Sequence, residues 1–70
     1  MTKYKLQKET IIIEGNSYNT YSILCYRNRK LLTKIFDAFA TETHAKRFVD
    51  MCNALKLQPI HLQNVLDDYL

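Results

Sequence analysis

The sequence predicts an α+β domain in which a three-stranded antiparallel meander is followed by two helices packed on one face of the sheet (β-β-β-α-α). Three observations lead to this prediction. Turn signals divide the N-terminal part into three β-prone runs, the apolar spacing takes a helical period after Ala40, and Pro59 is well placed to begin a second helix. One Gly and one Pro leave little room for a linker, so we expect a single domain over residues 1–70.

Turn chemistry defines the strands. Gly15 and Asn16 in EGNS can take positive φ at low cost, and Asn28 in RNRK is the residue most ready to turn. The runs around these turns are rich in β-branched and aromatic residues. If both loops have two residues, alternation divides the apolar side chains between two faces. One face then carries Leu6, Tyr21, Ile23, Cys25, Leu32 and Phe36, and the other carries Ile11, Leu24, Tyr26, Leu31 and Ile35. Neither face is cleanly polar, so either a partner covers the face opposite the helices or this register is wrong.

Capping and periodicity indicate the helices. Thr41 can cap the first helix by accepting from main-chain N–H groups, and Glu42 complements the helix dipole in the first turn. The apolar face of this helix comprises Ala45, Phe48, Val49, Cys52 and Leu55. Pro59 suits the first position of a second helix, whose stripe is Leu62, Val65, Leu66, Tyr69 and Leu70. So short a helix is marginal alone, and we expect its stripe to pack on the rest of the domain.

Residues that could support catalysis are few, and we do not predict an enzyme. Asp67 and Asp68 lie about 100° apart on a helix and do not face a common point. His61 has no predictable nucleophile beside it, and a single Gly cannot build a phosphate-binding loop. We assign no catalytic, cofactor-binding or metal-binding residue.

Cys25 and Cys52 are interpreted as small buried hydrophobic residues. His44 and His61 are the histidines available to join them at a metal, but no CxxC or HxxxH pair supplies two ligands from one turn. The apolar run of three Ile near the N-terminus is too short for a signal peptide or a membrane span. We therefore expect a cytoplasmic protein with reduced thiols and no membrane partner.

The C-terminal half combines Asn53, Leu57, Pro59 and His61-Leu62 with the closing run Val65-Leu66-Asp67-Asp68-Tyr69-Leu70. This pattern, which follows a strand end and a Thr-capped helix, resembles a family of short uncharacterised proteins of Gram-positive bacteria. The resemblance covers residues 36–70 and has no counterpart motif in the strands. It implies this architecture and a bacterial cytoplasmic origin, and it implies no activity, cofactor or catalytic residue.

Charge is unevenly distributed. Residues 1–34 contain seven Lys or Arg and two Glu, whereas residues 35–70 contain three basic and five acidic side chains. The predicted interaction surface is the tip of the second hairpin, with Arg27, Arg29, Lys30 and Tyr26. Complementary halves favour a protein-interaction or regulatory module that binds an unidentified protein or a second copy of itself. The alternative is RNA or single-stranded nucleic acid, bound by basic groups and stacked aromatic rings.

Overall fold

The computed structural model describes residues 1–70 and contains three strands followed by two helices. The strands are β1 (Thr2–Ile13), β2 (Asn16–Arg27) and β3 (Lys30–Phe39), which form one antiparallel sheet in the order β1-β2-β3. The helices are α1 (Glu42–Ala54) and α2 (Leu62–Tyr69), with a 3₁₀ turn at Pro59–His61 between them. The predicted α+β arrangement is confirmed.

Both hairpins turn through two residues with positive φ. Glu14 and Gly15 have φ values of 51° and 80°, and Asn28 and Arg29 have φ values of 52° and 70°. Two-residue turns with positive φ at both positions match the right-handed twist of the flanking strands. Gly15 is therefore at the first turn as predicted, while Asn16 already belongs to β2.

A β-bulge displaces the register of β3. Leu31 pairs with Tyr26, but the next pair joins Thr33 with Cys25, so Leu32 is an extra residue. From Thr33 to Phe36 each side chain of β3 therefore lies on the opposite face from the one that simple alternation predicts.

The bulge makes part of the predicted face assignment wrong. Ile35 pairs with Ile23 and packs against the core, whereas Phe36 is on the other face and is exposed. A second irregularity follows at Asp37, which has a φ of 55°. Strands β1 and β2, in contrast, keep the predicted faces, and Leu6 lies opposite Ile23.

The core lies between one face of the sheet and the two helices. Thr41 caps α1 as predicted, because its hydroxyl accepts a hydrogen bond from the His44 N–H at 3.4 Å. The rings of Phe39, Phe48 and Tyr69 pack in tilted or edge-on geometry, with centroids 5.2 to 5.9 Å apart. The buried core residues are Tyr4, Tyr21, Ile23, Cys25, Phe39, Ala45, Phe48, Val49, Cys52, Leu62 and Leu66.

Helix α2 packs on the rest of the domain through Leu62 and Leu66, as predicted. The ends of both predicted apolar stripes are exposed instead. Leu55 follows the last turn of α1 and Leu70 follows α2, and both side chains face solvent. Neither helix has the length and apolarity that crossing a membrane requires.

Candidate binding surfaces

The tip of the β2–β3 hairpin divides the predicted interaction residues between two faces. Tyr26 lies on the face of the sheet that the helices leave uncovered, which we call the open face. Arg27, the residue after Tyr26, pairs with Lys30. Because side chains alternate along a strand, those of Arg27 and Lys30 point toward the opposite face. Arg29 occupies the turn itself. Of the four predicted residues, only Tyr26 and Arg29 therefore line a common site.

That site is a basic groove of about 560 Å³ at the tip of the open face. Its lining residues are Met1, Lys3, Lys5, Tyr26, Asn28 and Arg29. Lys3 and Lys5 come from β1, where the register sets Lys3 opposite Tyr26. The sequence pattern gave no reason to group them with Arg29, because these residues are more than 20 positions apart in the chain.

The basic groove carries positive charge that no carboxylate neutralises. Its lining includes no Asp or Glu, and the only salt bridge of the protein joins Lys34 to Glu9 elsewhere on the open face. The ammonium of Lys5 lies 5.6 Å from the ring centroid of Tyr26, within the range of a cation–π interaction. An aromatic surface and unpaired cations therefore lie side by side.

Hydrogen bonds hold the start of β1 against the hairpin tip. The Met1 amino group donates to Asn28 Oδ1 at 2.9 Å, and the Asn28 N–H donates to the Met1 carbonyl at 3.1 Å. These bonds join Met1 and Asn28, two of the residues that line the basic groove.

A second lysine–aromatic pair lies further along the open face. Lys5, Leu24 and Lys34 form one row across the three strands. Leu24 is only 8% exposed although it lies on the open face, between these two lysines. Lys34 leans toward Phe36, with its ammonium 5.7 Å from the ring centroid.

A polar cluster that no sequence pattern predicted occupies the middle of the open face. The Ser22 hydroxyl donates to Glu9 and accepts from the Asp37 N–H at 3.3 Å. The hydrogen bond from Ser22, followed by the one from Lys34, lowers the pKa of Glu9 below its ordinary value. Thr20 likewise donates to the Asp37 carboxylate. These bonds satisfy the buried hydroxyls and stabilise the irregular end of β3.

A side chain of α1 caps the outer edge of β1 at one residue, Tyr4. Asn53 Oδ1 accepts from the Tyr4 N–H at 2.8 Å, and Asn53 Nδ2 donates to the Tyr4 carbonyl at 3.0 Å. The Tyr4 hydroxyl then donates to the Leu57 carbonyl at 2.8 Å. The amide of Asn53 therefore takes the place that a neighbouring strand would occupy.

The outer edge of β3 is open. β2 is its only strand neighbour, and no side chain hydrogen-bonds to the main chain between Lys30 and Phe36. The pairing of Ile23 with Ile35 turns the main-chain groups of Lys34 and Phe36 outward. Leu31, Leu32 and Phe36 are 52%, 48% and 55% exposed.

The side chains that could act in catalysis or bind a metal are either far apart or buried. Cys25 and Cys52 are free thiols in the core, and burial raises the pKa of Cys52 to about 11. His44 is exposed at the start of α1 and His61 at the 3₁₀ turn. No three His, Cys, Asp or Glu side chains lie close enough together to bind a metal ion.

Comparison of the chain with protein-family models, curated proteins and solved structures finds no match. A functional assignment must therefore come from the geometry of the chain itself.

Proposed function

We propose that this protein is a non-catalytic protein-interaction module of the bacterial cytoplasm, and that its partner adds a strand to β3. The observation that carries the proposal is the difference between the two sheet edges. Asn53 caps the β1 edge at Tyr4, whereas no side chain bonds the main chain of β3 from Lys30 to Phe36, where three apolar side chains are exposed. Such an edge is a template for an extended segment of another chain.

The partner we propose is a second copy of the chain. If two β3 strands pair antiparallel with Ile35 on the twofold axis, the outward main-chain groups of Lys34 face those of Phe36 in the other copy. Lys34 already contacts Phe36 within one chain, so the same favourable contact forms across the interface. This register also avoids placing the two Lys34 ammonium groups opposite each other.

We propose no catalytic role because the reactive side chains are buried or lie apart from one another. Both thiols are buried, and the raised pKa of Cys52 keeps it protonated at neutral pH. His61 lines no groove, and the shallow groove that His44 lines with Phe39, Arg47, Tyr69 and Leu70 contains no Ser, Thr or Cys. The resemblance to the short Gram-positive family stays a prediction and adds no activity.

Sedimentation velocity from micromolar to millimolar concentration tests the proposal. We expect a concentration-dependent dimer, together with slower amide exchange at Lys34 and Phe36 as the dimer forms. Phe36→Lys places a lysine opposite Lys34 of the other copy and should give a monomer. Tyr18→Lys is the matched control, because Tyr18 is an exposed aromatic residue on the same face but far from β3.

Three results would contradict the proposal. The wild-type chain could remain a monomer at millimolar concentration. The dimer could form without protection of the two outward amides. Finally, Tyr18→Lys could disrupt it as strongly as Phe36→Lys does.

A further inference from the structure

We propose that the basic groove is a binding site for single-stranded nucleic acid, with Tyr26 stacking on a base while Lys3, Lys5 and Arg29 contact phosphates. The site is independent of the β3 edge, since none of its lining residues belongs to β3. The proposal goes beyond the protein-interaction role and requires no second copy.

Charge complementarity is the first argument for this ligand. Three side-chain cations line the basic groove, and none of them forms a salt bridge. In contrast, Lys34 on the same face is neutralised by Glu9 at 3.1 Å. Unpaired cations concentrated in one concave site attract a polyanion and release its counterions on binding.

The second argument is the aromatic ring among these cations. Tyr26 is half-buried, which holds its ring in place, while the side facing the basic groove stays accessible. Stacking of a base on such a ring is tolerant of sequence, and cations beside the ring follow the backbone of the strand. A ring held beside three unpaired cations fits a nucleotide better than an acidic peptide, which has no planar base to stack.

The third argument is size and accessibility. A volume of about 560 Å³ lies within the range of sites that hold nucleotide-sized ligands. The helices lie on the other face of the sheet, so a strand can pass along the open face without meeting them.

Fluorescence anisotropy with a labelled oligouridine tests the proposal. Three phosphate contacts give a slope of about −2 for the logarithm of the binding constant against the logarithm of the salt concentration, or about 20-fold weaker binding at 200 mM than at 50 mM salt. Lys5→Gln should weaken binding and reduce the slope by about 0.7. Lys46→Gln on α1 removes the same charge outside the basic groove and should leave the slope unchanged.

A second pair of variants tests the stacking. Tyr26→Leu should weaken binding at least about fivefold with an unchanged salt slope, because it removes a ring and no charge. Tyr26→Phe keeps the ring and should bind like the wild type. Circular dichroism of each variant checks that the sheet is intact.

Several results would overturn the proposal. One is the absence of saturable binding at 50 mM salt, and another is an equal effect of Lys5→Gln and Lys46→Gln. Equal affinity for polyglutamate would assign the basic groove to acidic proteins, and displacement by a free mononucleotide at the same concentration would assign it to small ligands. Monomeric Phe36→Lys should still bind the oligonucleotide, so failure of the dimer and failure of this site are distinguishable.

Discussion

Asn53→Ala is expected to weaken the attachment of β1 to α1. The substitution removes the amide that donates to the Tyr4 carbonyl and accepts from the Tyr4 N–H, at 3.0 and 2.8 Å. Each lost hydrogen bond costs about 0.5 to 1.5 kcal/mol, so the pair contributes about 1 to 3 kcal/mol. The gain in helix propensity from Asn to Ala offsets part of this, up to about 0.7 kcal/mol.

The expected net loss of about 1 to 2 kcal/mol is large for so small a protein. A core of this size supports a free energy of unfolding of about 3 to 5 kcal/mol. With a urea slope near 1 kcal/mol per molar, the midpoint of unfolding should fall by about 1 to 2 M. Native-state amide exchange adds a local readout, because the Tyr4 N–H should lose its protection.

Asn64→Ala provides the matched control. Asn64 is an exposed asparagine in α2 whose side chain makes no hydrogen bond to the protein. Its replacement by Ala gives a similar gain in helix propensity without removing any hydrogen bond. A urea midpoint that moves equally in both variants would refute the role given to the Asn53 amide. Unchanged exchange at Tyr4 would refute it as well.

Three further predictions concern the core, the polar cluster and the thiols. Leu66→Ala should lower the free energy of unfolding by about 2 to 5 kcal/mol in a thermal melt, whereas Leu70→Ala should change it by less than about 0.5 kcal/mol; similar losses in both would contradict the packing of α2. Because the folded protein lowers the pKa of Glu9 from 4.5, its contribution to stability is present above that pH and is lost as the pH falls through the lower folded value. Urea titrations from neutral to acid pH should therefore show a weaker pH dependence in Glu9→Gln, and an unaltered dependence would count against the cluster. Iodoacetamide should leave Cys52 unmodified in the folded protein and alkylate it in urea, since burial raises the pKa of this thiol to about 11; rapid labelling without urea would contradict its burial.

The elements of the fold could be predicted because each has a local cause. Gly15 and Asn28 accept the positive φ that two-residue hairpins need, and Thr41 supplies the hydroxyl that caps α1. The burial of Leu62 and Leu66 follows from their helical spacing. These signals lie within a few residues of the structure that they specify.

The face assignment of β3 could not be predicted because its cause is not local. Nothing in LLTK distinguishes Leu32 from its neighbours as the extra residue of a bulge, yet that residue reverses the faces of Ile35 and Phe36. The irregularity at Asp37 depends on hydroxyls of β2 that are 15 and 17 positions away. Because both predicted faces carry apolar residues, alternation alone does not determine this register.

The candidate surfaces were predicted in part. Tyr26 and Arg29 come from the hairpin that composition singled out, whereas Lys3 and Lys5 join them only through pairing of β1 with β2. The bonding of Asn53 to the main chain of Tyr4 has no sequence signature, since an asparagine near a helix end usually indicates a turn.

The contacts of Tyr4 also constrain the order in which the chain can fold. Both hairpins are local and can form as soon as their residues have been synthesised. Tyr4, however, is hydrogen-bonded to Asn53 and Leu57, which lie 49 and 53 positions later in the chain. During synthesis, β1 therefore lacks its hydrogen bonds to Asn53 and Leu57 until most of the chain has been made. Its edge is exposed during this interval, and we expect the lysines at positions 3, 5 and 8 to disfavour its pairing with other chains.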